Sequence, residues 1–433
     1  MPRRSLFLLV AIAVLFALAP LSLRSQQTSI SHEDKQTDLL MLKDAKETLE
    51  KNYYDPKLHG LDFDGLYEQY KQRVEGSTSN HQAFALIAGF VDSLHDTHTR
   101  FIPPPRVGDV EYGYRLQMIG DKCYVTEVRP GMDGVGKLHA GDVVVDREGI
   151  FVNRGNFLDM LYHFGMLAPV TASNFEILDQ QGNERQVTVQ SKMWPKGDEF
   201  GVGTVLGAVG EEEQQEKDEF YEKDGVFFWK MHGFIDDDFG VEAAFTRASK
   251  SKAMIIDLRG NGGGSVETLQ NVLGMMFDHP IVVADRVGRK KLKPITIRPA
   301  GSHAYKGNIF VLVDSESASA SEILARVVQI ENRGTVIGDR TAGAVMEAEF
   351  FTGMVGGAVD YGFEVTEADL TMKDGASLEH VGVTPDHIVL PTDQDMAEGK
   401  DPVLAYAAQQ AGAEMTPEQA AKLFPFQWPP MGK

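Results

Sequence analysis

The spacing of apolar residues changes twice along this chain of 433 residues, and these changes restrict the fold more than any other feature. Between residues 33 and 94 apolar side chains recur every three or four positions, which predicts helices. Between residues 112 and 192 short runs separated by glycine turns predict strands. From Gly201 onward strand-like runs alternate with helical patterns, which predicts an α/β layered core. We therefore expect a multidomain chain.

The N-terminal region predicts a helical domain at residues 32–105. Tyr54-Asp55-Pro56 separates two helical patterns, because proline interrupts a helix. A third helix is expected to begin near Asn80, which can cap it, and to end near His95. Three consecutive prolines then mark a domain edge.

Residues 106–193 resemble a PDZ domain. Strands are expected at 112–116, 123–128, 142–145 and 185–189, with a helix at 157–167. A PDZ domain binds an extended peptide as an added strand and holds its terminal carboxylate with backbone N–H groups. The resemblance assigns that loop to Tyr112, Gly113, Tyr114, Arg115 and Leu116. A β module that only packs on its neighbours is the alternative.

Residues 200–395 form the predicted α/β core, and residues 396–433 a C-terminal helix and tail. Core strands are expected at 226–231, 253–258, 309–313 and 336–337, and core helices at 240–250, 266–277 and 320–331.

The N-terminus and the composition restrict location and partners. Arg3 and Arg4 precede an apolar run from Leu6 to Ala19, which fits a signal peptide and is shorter than a membrane span. Residues 1–25 are thus expected to direct export to the periplasm or cell envelope, or to remain as an anchor near the membrane. A net charge of −21 disfavours nucleic acid. The single Cys123 excludes an intrachain disulfide, and no metal or cofactor is expected.

Two strand-to-helix junctions can carry chemistry. The first, Arg259-Gly260-Asn261-Gly262-Gly263-Gly264-Ser265, directs N–H groups towards an anion or a developing oxyanion. The second, 315–322, can expose a serine on a sharp turn. Ser319 and Glu322 also have the spacing of a capping box, so a structural cap is the alternative. His98 is a third candidate, with a surface role as its alternative.

In combination these segments resemble serine peptidase family forty-one, the C-terminal processing and tricorn proteases. The resemblance covers about residues 35–410 and rests on the segment from Leu94 to Phe101, both junctions, Gly338-x-x-Thr341-x-Gly343 and Gly382-Val383-x-Pro385-Asp386. It implies a core of the ClpP/crotonase-like type. It also implies that Ser319 is the nucleophile and that the N–H groups of Ala320 and of Gly263, or adjacent Gly262, form the oxyanion hole.

One departure selects a branch of that family. The processing proteases use a lysine 25 positions after the serine, but Ala344 stands there, and Ala348 replaces the family's glutamine. A methyl group cannot accept a proton, so a Ser-Lys dyad is excluded. The resemblance to the tricorn-like branch instead implies His98 as base, with Thr97 orienting it and Glu379 as the carboxylate. A solvated loop charge is the alternative for Glu379.

The sequence thus predicts an exported serine peptidase with a Ser-His-Glu site that acts on peptides or on unfolded, C-terminally presented proteins. Homo-oligomerisation stays open. A catalytically inactive peptide-binding scaffold on the same fold is the main alternative, and a carrier of small apolar molecules is a more distant one.

Overall fold

The computed structural model describes residues 30–105, 108–195, 217–235, 238–356 and 359–430. The predicted signal peptide or anchor lies outside these residues. None of the helices in the described ranges combines the length and apolarity that a membrane span requires.

Three helices open the described chain, as predicted: α1 (His32–Asn52), α2 (Phe63–Glu75) and α3 (Asn80–Val91). The prediction that Asn80 caps α3 is wrong. The cap is Ser79, whose hydroxyl accepts a hydrogen bond from the N–H of Gln82 at 3.3 Å. Ser79 has the extended backbone, φ −152° and ψ 157°, that an N-cap requires, whereas Asn80 is already helical.

After the short strand β1 (Arg100–Ile102), residues 108–195 form what we call the β unit. Its elements are β2 (Gly108–Glu111), β3 (Tyr114–Ile119), β4 (Lys122–Val128), β5 (Val143–Arg147), β6 (Ile150–Phe151), α4 (Phe157–Tyr162), β7 (Ala172–Leu178), β8 (Glu184–Gln190) and β9 (Lys192–Pro195). The antiparallel sheet has the order β3-β4-β5-β7-β8, so β3 is an edge strand. The expected helix at 157–167 is α4 followed by a π-helical turn, and β7 was not predicted.

The α/β core agrees with the predicted alternation. Its strands are β10 (Glu219–Lys223), β11 (Val226–Lys230), β12 (Ala253–Asp257), β15 (Asn308–Val313), β16 (Gly334–Gly338) and β19 (His387–Ile388), side by side in that order. All neighbours after β11 are parallel. Its helices are α5 (Asp238–Ala248), α6 (Val266–Met276), α7 (Ala320–Ile330), α8 (Asp393–Ala397), α9 (Pro402–Ala411) and α10 (Pro417–Ala420).

Helices cover both faces of this core sheet. In β12 the side chains of Met254 and Ile256 pack with α5, α6 and α7, whereas that of Ile255 packs with α9. A strand buried on both faces reads as a continuous apolar run, which is why Ala253–Asp257 was recognisable in the sequence.

A second sheet, which the sequence analysis did not anticipate, joins the N-terminal helices to the core. It contains β13 (Val282–Gly288), β14 (Ile295–Thr296), β17 (Met346–Val355) and β18 (Val359–Met372), with β1 on the outer edge of β18. Side chains of α1 and α3 share one apolar cluster with Phe101 and Phe363. The segment that carries His98 is therefore fixed against the core, although it lies 221 residues before Ser319.

Candidate active site

Ser319 lies on a strained turn between β15 and α7. Its backbone has φ 52° and ψ −116°, a conformation that a residue with a side chain adopts only when its surroundings impose it. Such a turn between strand and helix lifts the serine hydroxyl out of the sheet and places it at a helix N-terminus, where negative charge is stabilised. The small residues around Ser319 in the sequence permit this conformation.

The buried carboxylate of Glu322 holds the turn in place. It accepts the N–H of Ser319 at 3.1 Å, the N–H groups of Gly343 and Ala344 at 2.8 and 2.9 Å, and the Thr341 hydroxyl at 2.5 Å. Burial raises the pKa of Glu322 to about 7, although the four hydrogen bonds favour the ionised form and lower it. Of the capping box expected from the spacing, the half in which Glu322 accepts the N–H of Ser319 is a hydrogen bond, whereas the N–H of Glu322 donates to the main-chain carbonyl of Ser319 at 3.0 Å and not to its hydroxyl. Glu322 is thus the cap that positions Ser319.

The glycine loop after β12 packs directly on this turn through Asn261. The side chain of the buried Asn261 donates from Nδ2 to the carbonyl of Met231 at 2.9 Å. The main-chain carbonyl of Asn261 accepts the N–H of Ala318 at 3.0 Å and the hydroxyl of Ser321 at 2.9 Å. The loop and the nucleophile turn therefore form one hydrogen-bonded unit.

The donors expected for the oxyanion hole differ in availability. The N–H of Gly263 donates to Oδ1 of Asn261 at 2.9 Å, so it is already committed. The N–H groups of Gly262 and Ala320 have no acceptor among the described residues. A Cβ on Gly263 would lie 2.7 Å from Cβ of Ser319, so Gly263 allows the loop to approach the serine. Of the two glycines weighed from the sequence, Gly262 has the free donor.

His98 lies in a loop that the buried Asp96 organises. The Asp96 carboxylate accepts the N–H of His98 at 3.0 Å and the hydroxyls of Thr99 and Thr366, each at 2.9 Å. Thr366 belongs to β18, so these bonds attach the loop to the second sheet. Asp96 was not among the residues singled out from the sequence, although an aspartate side chain often accepts the N–H two residues later in an Asx turn, as it does here.

Glu379 contacts His98 through Thr97 rather than directly. The Thr97 hydroxyl donates to Oε2 of Glu379 at 3.0 Å and lies 2.8 Å from Nδ1 of His98. The Thr97 N–H also donates to Glu379, at 2.8 Å. Because the hydroxyl has a single proton, which it gives to Glu379, it accepts the proton of Nδ1. This arrangement fixes the imidazole tautomer whose Nε2 has a free lone pair.

The electrostatics of His98 keep that imidazole neutral. Burial and the nearby Arg100 lower the pKa of His98 to about 4. Burial also raises the pKa of Glu379, whose carboxylate nevertheless accepts three hydrogen bonds, from Thr97 and from the N–H of Val345 at 2.8 Å.

A short run of backbone connects the two halves of the site. The carbonyl of Ala344 accepts the N–H of Ser319 at 2.8 Å, and the next residue, Val345, donates to Glu379. The main chain of Ala344, the residue at the position that the resemblance assigns to a lysine, therefore contacts Ser319. No hydrogen bond among the described residues joins the hydroxyl of Ser319 to Nε2 of His98.

The β unit contributes a cleft beside this turn. A cavity of about 230 Å³ is lined by Tyr112, Tyr114, Arg115 and Leu116, opposite Leu161 of α4. Gly113 lies between the two tyrosines with φ +72°, and a Cβ there would lie 2.6 Å from Cβ of Met132. Four of the five residues of the predicted carboxylate-binding loop thus line this cavity.

Strand β3 docks on the nucleophile turn. Arg115 forms an ion pair with Glu316, and Gln117 donates to Asp314 at 2.6 Å. Four residues before Ser319, the hydroxyl of Ser315 donates to the β3 carbonyl of Met118 at 2.5 Å. The cleft and the nucleophile turn are therefore in direct contact.

Arg259, in the glycine loop, forms ion pairs that hold the core together. It pairs with Asp257 and with Asp401, at 2.7 and 2.8 Å, and so connects the end of β12 to the cap of α9. Burial opposes ionisation of Asp257, but Arg259 and Lys230 hold its pKa below the ordinary value. Within the described ranges no group of three or more His, Cys, Asp or Glu side chains is arranged to hold a metal ion.

Comparisons with known proteins find peptidases among the relatives of this chain. Residues 229–389 match the profile of Peptidase family S41, and residues 37–91 match the Tricorn protease C1 domain. The C-terminal processing peptidase, chloroplastic, of Tetradesmus obliquus is 24% identical over 393 residues, which cover 82% of this chain and 79% of that protein. The tricorn protease of Thermoplasma volcanium is 22% identical over 84% of this chain, but the match spans only 35% of that relative.

Among solved structures, mature CPAF complexed with lactacystin superposes with a TM-score of 0.62. The superposition covers 84% of this chain and 95% of that one, at 17% sequence identity. This likeness shows a shared multidomain fold of mixed helices and sheets.

Proposed function

We propose that this chain, in which residues 229–389 match peptidase family S41, is a serine peptidase that cleaves peptide bonds with Ser319 as nucleophile and His98 as general base. Thr97 orients His98, and Glu379 stabilises the charge that His98 gains. The observation that carries the proposal is the hydrogen-bonded series from Glu379 through Thr97 to Nδ1 of His98, because it leaves Nε2 free to accept a proton.

The proposed reaction has two halves. As Oγ of Ser319 bonds to the scissile carbonyl carbon, its proton passes to Nε2 of His98, and the carbonyl oxygen becomes an oxyanion that accepts the N–H groups of Gly262 and Ala320. The C–N bond then breaks and the leaving amine takes the proton from His98. Water attacks the acyl-enzyme, again giving its proton to His98, and the acid product leaves as Ser319 regains its proton.

For the substrate, we propose a peptide or unfolded segment whose C-terminal end binds the cleft of the β unit, as in a PDZ domain. Support comes from the edge position of β3 and from the cavity between β3 and α4. The apolar run at 6–19 supports export to the periplasm or cell envelope.

The test is hydrolysis of a quenched fluorescent peptide by the purified protein and two variants. Ser319→Ala and His98→Gln are expected to lower kcat by at least about 10³-fold, with melting temperatures unchanged within a few degrees. Activity that survives both substitutions refutes the assignment. Peptide binding without hydrolysis by the wild type favours the scaffold alternative. Two observations support that alternative: no hydrogen bond among the described residues joins Ser319 to His98, and position 344 is an alanine.

A further inference from the structure

A segment near the C-terminal end of the described chain lies across the β unit. Residues 424–430, Phe-Pro-Phe-Gln-Trp-Pro-Pro, form neither helix nor strand, and we call them the aromatic segment. Two of their side chains, Phe426 and Trp428, contact each other edge to face with ring centroids 5.1 Å apart. The catalytic proposal gives this segment no role.

Two arginines of the β unit receive these rings. The guanidinium of Arg129 lies 5.4 Å from the ring centroid of Trp428 and donates to the carbonyl of Pro429 at 2.5 Å. The guanidinium of Arg115 lies 4.9 Å from the ring centroid of Phe426. A guanidinium over an aromatic face within about 6 Å is an attractive cation–π contact.

The same two arginines hold the loop at the cleft. The N–H of Arg129 donates to the carbonyl of Gly113 at 2.9 Å, and its side chain pairs with Glu111. Arg115 lines the cavity and pairs with Glu316, beside the nucleophile turn. The aromatic segment therefore contacts one residue of the predicted peptide-binding loop, Arg115, and the arginine that holds Gly113 of that loop, Arg129.

We propose that Arg115 and Arg129 form a binding surface for an aromatic, proline-containing peptide segment, and that residues 424–430 occupy it as an internal ligand that competes with substrate for the cleft. The competition rests on the proposed function of the cleft, whereas the binding surface itself does not.

The contacts of the aromatic segment with Arg115 and Arg129 are weak enough for a bound substrate to displace the segment. Phe426 remains 39% exposed, and the segment is attached by two cation–π contacts and one hydrogen bond to Arg129. At the strength of cation–π contacts to rings that stay at least partly exposed, as Phe426 and Trp428 do, the two contacts correspond to an equilibrium favouring the closed arrangement by about 5- to 30-fold. Removing them should strengthen the binding of a competing peptide by that factor.

The test compares full-length proteins that all carry Ser319→Ala, so that no peptide is cleaved. The double variant Phe426→Ala/Trp428→Ala is compared with a matched control, Gln427→Ala, which changes an exposed residue of the same segment. The probe is a short fluorescein-labelled unstructured peptide ending in a free C-terminal valine, and its Kd is measured by fluorescence anisotropy. The double variant should bind it about 5- to 30-fold more tightly and the control within about twofold.

A second measurement tests the surface without reference to substrate. A labelled heptapeptide, Phe-Pro-Phe-Gln-Trp-Pro-Pro, is added to the double variant, in which neither arginine is covered by an aromatic ring of the segment. Saturable binding that Arg129→Ala weakens supports the proposal. Absence of binding at millimolar concentration overturns the surface, and an unchanged Kd for the valine peptide overturns the competition. Neither result depends on whether the wild type hydrolyses peptides, so failure of the proposed function is recognised separately.

Discussion

Replacing Thr97 by valine removes one hydroxyl from the site and little else. Valine has nearly the same shape as threonine but can neither accept the proton of His98 Nδ1 nor donate to Oε2 of Glu379. Glu379 stays in place, because it still accepts the N–H groups of residue 97 and of Val345, both at 2.8 Å. The substitution therefore affects the tautomer and orientation of His98 while leaving the fold intact.

The size of the effect follows from the lost hydrogen bond. A hydrogen bond that involves a charged partner, as when imidazolium forms in the transition state, contributes about 1.5–3 kcal/mol. At about 1.4 kcal/mol for each factor of ten, kcat should fall about 10- to 150-fold. KM should change little, because Thr97 is not expected to contact substrate. Thr97→Ser keeps the hydroxyl and should stay within about threefold of the wild type.

Steady-state hydrolysis of the quenched peptide by the three proteins, with melting temperatures measured in parallel, checks this prediction. A Thr97→Val protein with wild-type kcat would show that the Glu379–Thr97–His98 series does not act in catalysis. A Thr97→Ser protein as slow as Thr97→Val would show that the side chain is needed for packing rather than for its hydroxyl.

Three other outcomes are expected. Gly263→Ala places a Cβ 2.7 Å from Cβ of Ser319 at a residue whose φ is +106°, so it should lower kcat at least about 100-fold and the unfolding free energy by about 1–3 kcal/mol. In the matched control Gly262→Ala the new Cβ meets nothing within 4 Å, so the unfolding free energy, measured by urea titration, should change by less than about 1 kcal/mol. Only neutral His98 accepts a proton, so with its pKa lowered to about 4 the His98 ring should titrate near pH 4 by NMR, and a midpoint near 6.5 contradicts this; an acid limb of kcat/KM near pH 7 would instead report protonation of Glu322. Burial raises the pKa of Asp38 to about 7 in the folded protein, so the free energy of unfolding falls between about pH 4 and 7, where Asp38 ionises more readily in the unfolded chain. Asp38→Asn should therefore stabilise the protein by about 1–3 kcal/mol at pH 8 and little at pH 4. Equal stabilisation at both pH values contradicts the assignment.

Local patterns predicted the elements that local forces determine. The run Ala253–Asp257 is buried on both faces of its sheet, so β12 was recognisable. The small residues before Ala320 indicated a sharp turn that can expose a serine, but the choice of Ser319 came from the family resemblance. The second sheet was not anticipated. Every residue of β17 except Met346 is partly buried or exposed, so its sequence lacks the apolar signal of a core strand.

Long-range contacts explain what the sequence could not supply. Asp96 acts through Thr366, 270 residues later, and nothing local to either residue indicates the pairing. The resemblance suggested Thr97 beside His98, but only the structure shows that Glu379 reaches the histidine through that hydroxyl. The sequence could not tell whether the N–H of Gly262 or that of Gly263 is available to an oxyanion, because this depends on the side chain of Asn261, which accepts the N–H of Gly263.

The most direct test of the catalytic assignment is the rate at which a fluorophosphonate modifies Ser319, measured by intact mass and peptide mapping in the wild type and in His98→Gln. This reagent reports activation of the hydroxyl without requiring a known substrate. We expect modification at Ser319 alone, at least about 100-fold slower in His98→Gln. Equal rates in the two proteins, or modification at another residue, would contradict the account.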